Sequence, residues 1–133
     1  TYEQFCELWG AIFLPHTLVP EEMLVTLRQR CRLLMLSNTN AIHFALVRER
    51  YPLLRHFHDQ VLSYEIGVLK PDPEIYRQAI AKAGCRPEEC FYIDDTPLYV
   101  EAARQFGLDA VRFDSLPQLE AELRARGLGW QEH

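Results

Sequence analysis

Leu33-Leu34-Met35-Leu36, followed at once by Ser37-Asn38-Thr39-Asn40, is the stretch on which the fold turns. Four apolar residues closed by a polar cluster read as a short strand ending in a turn. Downstream, Ile42, Ala45, Leu46 and Glu49 fall at helical spacing. Tyr51-Pro52 stops that helix, since a residue before proline disfavours the helical conformation. A second strand is expected over Gln60 to Tyr64, then a loop through Gly67 to Lys70-Pro71-Asp72-Pro73-Glu74. Asp72 suits a helix N-cap, with Pro73 at the first helical position. Ile75, Tyr76, Ala79, Ile80 and Ala83 then form one apolar stripe that Gly84 terminates. Cys90-Phe91-Tyr92-Ile93 reads as a third strand, ended by Asp94-Asp95. A helix from about Pro97 to Phe106 follows, with Gly107 as its stop. Ala110 to Phe113 is a fourth strand, and Ser115 caps a last helix ending near Gly127.

Upstream, the pattern changes. Tyr2, Phe5, Leu8, Trp9 and Ile12 fit one helical face. Pro20 opens a second helix, with Glu21 and Glu22 in its first turn, where acids suit the helix dipole. That helix turns Met23, Leu24 and Leu27 inward. Strands alternating with helices imply a parallel sheet with right-handed crossovers, hence a doubly wound α/β domain. The 133 residues suit a single domain, and 48% hydrophobic residues are enough for a core.

Composition narrows the function. A formal net charge of -5 with scattered basic residues argues against a nucleic-acid partner, which needs a basic face. Arg28, Arg30 and Arg32, and Arg48, Arg50 and Arg55, read as solvated helix faces. No signal peptide and no membrane-spanning apolar run is present in the sequence, so a cytoplasmic location is expected. Cys6, Cys31, Cys85 and Cys90 form no C-x-x-C pair and read as reduced, mostly buried thiols. His56 and His58 flank Phe57 and read as a polar turn before a strand rather than a metal site.

The chemistry lies at the strand ends. Ligands of open parallel sheets bind beyond the carboxyl ends of the strands. Ser37 and Asn38 close the first of these strands, Lys70 follows the second, and Asp94 and Asp95 close the third. A hydroxyl, an amide, an ammonium and two carboxylates on one rim suit a phosphate and a magnesium ion. Mg²⁺ uses one or two carboxylates plus waters and phosphate oxygens. Lys70 can neutralise phosphoryl oxygens, and Ser37 with the following helix N-terminus can hydrogen-bond them. Taken singly, each has a plain structural reading: Ser37-Asn38 as a turn, Lys70 as a surface lysine, Asp94-Asp95 as a solvated cap.

Together these segments resemble the haloacid dehalogenase superfamily. Leu34-Met35-Leu36-Ser37-Asn38 matches its second motif, Gly67-Val68-Leu69-Lys70-Pro71-Asp72-Pro73 its third, and Phe91-Tyr92-Ile93-Asp94-Asp95 its fourth. Val100-Glu101-Ala102-Ala103 before Gly107 is also typical, and Ser-Asn-Thr-Asn is most similar to the subfamily with a small helical cap. The resemblance implies a Mg²⁺-dependent phosphatase acting on small phosphate esters. Ser37 and Lys70 would be catalytic, Ser37, Asn38 and Lys70 phosphate-binding, and Asp94 and Asp95 metal-binding. Two departures stand out. Tyr99 occupies a position where the family usually has a polar residue, often Asn. The family's first motif, a strand ending in Asp-x-Asp that supplies the nucleophile, has no counterpart before Ser37.

The resemblance therefore implies a core that lacks its first strand, with residues 1–19 a remnant of a cap helix. Activity of this chain alone becomes doubtful. A non-catalytic phosphate- or protein-binding module is the alternative, and a different hydrolytic activity on the same scaffold has no positive support. The absent strand would lie between the strands ending at Ser37 and Asp94. The gap could close by direct pairing of its edges, by entry of Ala11 to Leu14 as a strand, or by edge pairing of two copies. A homodimer is the expected outcome of the three.

Overall fold

The alternation of strands and helices builds a five-stranded parallel sheet in the computed structural model, which describes residues 11–14 and 19–128. Four strands match the sequence reading: β2 (Arg32–Ser37), β3 (Asp59–Leu62), β4 (Cys90–Asp94) and β5 (Asp109–Arg112). The fifth is β1, Ala11–Phe13. The sheet order is β3-β2-β1-β4-β5.

The central slot is thus filled from within the chain. Ala11, Ile12 and Phe13 pair with Arg32, Leu33 and Leu34 on one side and with Cys90, Phe91 and Tyr92 on the other. Both flanking strands use their backbone groups on β1, so the slot offers no edge to a second copy. Of the three routes considered, the structure takes entry of the N-terminal apolar stretch, and pairing of two copies at this gap is corrected. The physical reason is economical. A three-residue insertion satisfies buried backbone groups on two strands without repacking either helical layer. The expected helical face through Ile12 ends differently, because Ala11–Phe13 is extended. Tyr2, Phe5, Leu8 and Trp9 lie outside the described residues.

Helices cover both sheet faces. The chain runs β1, α1 (Glu21–Arg28), β2, α2 (Ala41–Arg50), then β3 at one edge. It continues through the short α3 (Ser63–Ile66) and α4 (Pro73–Ala83) to β4, then through α5 (Pro97–Gln105) to β5 and α6 (Leu116–Ala125). Side-chain alternation along the strands sorts the core into two layers. Phe13, Leu34, Leu36, Val61, Cys90 and Tyr92 pack with Ile75, Tyr76 and Ala79 of α4 and with Val100 and Ala103 of α5. Ile12, Leu14, Leu33, Phe91 and Ile93 pack with Met23, Leu24 and Leu27 of α1 and with Leu119 and Leu123 of α6. Met35, Phe44 and Leu62 extend this second layer under α2.

The caps follow the sequence. Asn40 accepts from the His43 N–H at 2.8 Å, Asp72 from Glu74 N–H at 2.9 Å, and Ser115 from Gln118 N–H at 3.2 Å. Gly84 ends α4 at φ 73°, a left-handed value that a side chain would strain. Two local readings change. Ser63 and Tyr64, expected at the end of a strand, begin α3. On α2 the named apolar spacing lies outside, with Ile42 78% and Leu46 51% exposed, and Phe44 is the buried residue.

The described cysteines, Cys31, Cys85 and Cys90, are free thiols, and Cys6 lies outside the described residues. His56 contacts Glu21 and His58 accepts from the Leu33 N–H, in keeping with a structural turn. Among the described residues no helix is long and apolar enough to cross a membrane.

Candidate active site

The strand order places a topological switch between β1 and β4, because the chain leaves these two neighbours toward opposite edges. Such a switch opens a crevice beyond the carboxyl ends of the strands. A cavity of about 330 Å³ lies there, lined by Phe13 and Leu14 at the end of β1, Ser37 and Asn38 at the end of β2, and Asp94 and Asp95 at the end of β4, with Lys70 and Tyr99. All five residues named from the sequence, Ser37, Asn38, Lys70, Asp94 and Asp95, line this one cavity.

Lys70 and Asp94 form its centre. Lys70 Nζ donates to Asp94 Oδ2 at 2.9 Å and to the Leu36 carbonyl at 3.3 Å. The two side chains are only 9% and 11% exposed, so the ion pair is shielded from solvent. Burial alone would push the Asp94 carboxyl up. The Lys70 ammonium and hydrogen bonds from Lys70, the Tyr92 hydroxyl and the Thr96 N–H outweigh it and hold the carboxyl below its usual range. Tyr92 donates to Asp94 Oδ2 at 2.6 Å. Burial, then the Asp94 charge, drive its phenol pKa far above normal, which keeps Tyr92 a donor. Asp95 is exposed at the rim.

Asn38 is held differently from the simple expectation of a phosphate ligand. Its Oδ1 accepts from the Lys70 N–H at 2.8 Å, and its Nδ2 donates to the Lys70 carbonyl and the Tyr99 hydroxyl, both at 3.3 Å. The amide is therefore engaged in clamping the Lys70 backbone. Ser37 makes no side-chain hydrogen bond to the described residues and is half-buried at the cavity wall.

Sequence reasoning missed three contributors. Ser63, 3% exposed, accepts from the Thr39 N–H and donates to the Thr39 carbonyl, each at 2.8 Å, and so fixes the turn after Ser37. Its position just after the apolar Val61-Leu62 was the available signal. Tyr92 faces the site because it sits two residues before Asp94, on the same side of β4, which strand periodicity could have revealed. Tyr99 lies under Lys70, with the ammonium 4.8 Å from its ring centroid. Among the described residues no group of three His, Cys, Asp or Glu side chains clusters as a metal site.

A model of haloacid dehalogenase-like hydrolases matches residues 3–107. The D-ribitol-5-phosphate phosphatase of Bacteroides thetaiotaomicron is 26% identical over 115 residues, covering 82% of this chain and 56% of that protein. The phosphoserine phosphatase of Thermus thermophilus is 40% identical over 63 residues, 47% of this chain and 25% of that protein. The chain spans about a quarter to just over half the length of these two relatives. Among solved structures, a haloacid dehalogenase family enzyme of B. thetaiotaomicron in complex with magnesium superposes with a TM-score of 0.70 at 30% identity, over 77% of this chain and 55% of that one. An uncharacterised Corynebacterium glutamicum protein shares the fold alone, at 22% identity and TM-score 0.73, over 95% of this chain and 98% of that one. With its sheet order, its cavity at the switch point and a matched segment covering most of its length, this chain belongs to the haloacid dehalogenase-like hydrolases.

Proposed function

We propose that the chain forms the phosphate- and magnesium-binding part of a phosphohydrolase site for small phosphate esters. The observation that carries this reading is the shielded Lys70–Asp94 pair, facing a cavity that Ser37 and Asp95 also line. Lys70 would neutralise phosphoryl oxygens as a point charge, and the Ser37 hydroxyl would hydrogen-bond one of them. Asn38 would serve by holding Lys70 rather than by touching phosphate. Asp94 and Asp95 would hold Mg²⁺, with waters and a phosphate oxygen completing its shell. The donor set fits that ion, since the described cavity residues offer carboxylate, hydroxyl and carbonyl oxygens and include no thiol or imidazole. When bound, the ion would offset phosphoryl charge. The relatives support the substrate class: one acts on D-ribitol 5-phosphate, another on phosphoserine. The related Bacteroides enzyme also crystallises with magnesium and inorganic phosphate.

Covalent phosphoryl transfer uses a nucleophile, in this family a carboxylate at the end of the central strand. Here Phe13 and Leu14 line the cavity at that end. These apolar residues favour a second reading, a phosphate-binding module with little turnover of its own. One experiment separates the two. Calorimetry with inorganic phosphate and Mg²⁺ should show binding that weakens about tenfold or more in Lys70→Gln, as loss of a charge-assisted contact implies. Turnover of p-nitrophenyl phosphate should not exceed that of an Asp94→Asn/Asp95→Asn protein. Robust turnover that this control abolishes would establish the hydrolase and exclude the module. Absence of phosphate binding would overturn both.

A further inference from the structure

We propose that Tyr99 is the residue that positions Lys70 in the site. The inference rests on the phosphate reading above for its ligand and on separate geometry for the positioning itself. Tyr99 occupies the first turn of α5 and is half-buried. Its backbone is pinned from two sides, by its own N–H donating to the Thr96 carbonyl at 3.0 Å and by the Tyr76 hydroxyl donating to its carbonyl at 3.0 Å. Tyr76 is itself fully buried, so this anchor belongs to the core.

From that anchor the side chain acts on Lys70 in two ways. The ring lies under the ammonium at 4.8 Å from its centroid, within the range at which a ring face attracts a cation. The hydroxyl accepts from Asn38 Nδ2, and Asn38 holds both the N–H and the carbonyl of Lys70. Lys70 thus has its backbone fixed by Asn38 and its head restrained by Asp94, the Leu36 carbonyl and the Tyr99 ring. An ammonium carries three hydrogens, and two are committed to Asp94 and Leu36. The ring restricts where the third can point. A lysine side chain so restrained has less rotamer freedom left to lose when phosphate arrives, which favours binding.

The ring and the hydroxyl can be separated. In Tyr99→Phe the ring stays and the Asn38 contact goes, whereas Tyr99→Leu removes both. Proton NMR of the ligand-free protein reads the first step. The ε-methylene signals of Lys70 should be displaced upfield by the ring in the wild type and in Tyr99→Phe, and should return to ordinary positions in Tyr99→Leu. Calorimetry with inorganic phosphate reads the second. The dissociation constant should stay within about threefold in Tyr99→Phe and rise roughly tenfold in Tyr99→Leu, the scale of a shielded cation–ring contact. Cross-relaxation between the Tyr99 ring and Lys70 ε-protons in the wild type gives the same answer without any variant. Absence of that cross-relaxation would overturn the proposal, as would Lys70 signals unchanged in Tyr99→Leu. Phosphate affinity unchanged in Tyr99→Leu would also overturn it, whereas equal loss in both variants would overturn the share given to the ring and leave positioning to the hydroxyl through Asn38. Wild-type protein that binds no phosphate would refute the site reading, while the Lys70 signals would still decide the positioning.

Discussion

The site depends on charges that solvent cannot screen. Lys70 and Asp94 are both shielded, so either one alone would be a buried charge without a counter-ion. Tyr92 and the Thr96 N–H share the load on Asp94, which explains why a carboxylate persists at the end of a fully buried strand. His58 contributes to the response to pH just below neutrality. Partial burial, then the charges of Arg28 and Arg32, hold the His58 pKa below its ordinary value of 6.5. Its Nδ1 accepts from the Leu33 N–H at 2.9 Å, so the folded state uses the neutral ring. Since the folded pKa is depressed, the unfolded chain takes up the proton first. The contribution of His58 is complete above pH 6.5 and is lost as pH falls from there through the lower folded value. In His58→Asn the amide oxygen can replace Nδ1 as acceptor without titrating. Melting temperatures between about pH 7 and about pH 5 should therefore fall less in the variant than in the wild type. Parallel curves would remove His58 from the account.

Among the elements, α2 shows how far a spacing rule reaches. Ile42, Ala45 and Leu46 sit at helical intervals, yet Phe44 alone on this helix is buried, packed on Met35 and Leu62. Arg48 lies 5.0 Å over the Phe44 ring and closes the contact from outside. The helix is thus held by one aromatic anchor. Phe44→Ala should cost about 3–5 kcal/mol in urea unfolding, the usual loss for a buried aromatic. Ile42→Glu should stay within about 0.5 kcal/mol, as surface changes do. A large cost for Ile42→Glu with tolerance of Phe44→Ala would mean that α2 presents its other side to the sheet. The short α3 has a comparable lesson. Its first residue, Ser63, spends its hydroxyl on the backbone of Thr39 and so ties the end of β3 to the turn after β2.

For the whole molecule, filling the central slot removes the reason for edge pairing there. The remaining edges are β3 and β5, and side chains occupy several of their carbonyls. Lys82 donates to Gln60 O at 2.9 Å, Arg104 to Ala110 O at 2.9 Å, and Gln118 to Arg112 O at 3.0 Å. Both strands are four residues long, and short, charge-guarded edges resist addition of another chain. The 133-residue chain should accordingly sediment as a monomer up to high micromolar concentration. Concentration-dependent dimerisation that a charge in β1, such as Ile12→Asp, strengthens would show that the strand leaves its slot in solution.

The sequence alone determined the alternation of strands and helices, the ends of α4 and α6, and the convergence of Ser37, Asn38, Lys70, Asp94 and Asp95 on one rim. These are local signals: capping side chains, prolines at first helical turns, and polar residues closing apolar runs. Tertiary structure decided the rest. Ala11-Ile12-Phe13 is too short to carry a period, and it becomes a strand because two neighbours distant in sequence leave backbone groups to satisfy. Asn38 lines the cavity, but its engagement with Lys70 and Tyr99 spans 32 and 61 residues of chain, beyond the reach of a local pattern. Tyr99 stood out in the sequence only as a departure from a pattern. Its placement under the Lys70 ammonium depends on how α5 is docked, and docking is set by core contacts that no local pattern encodes.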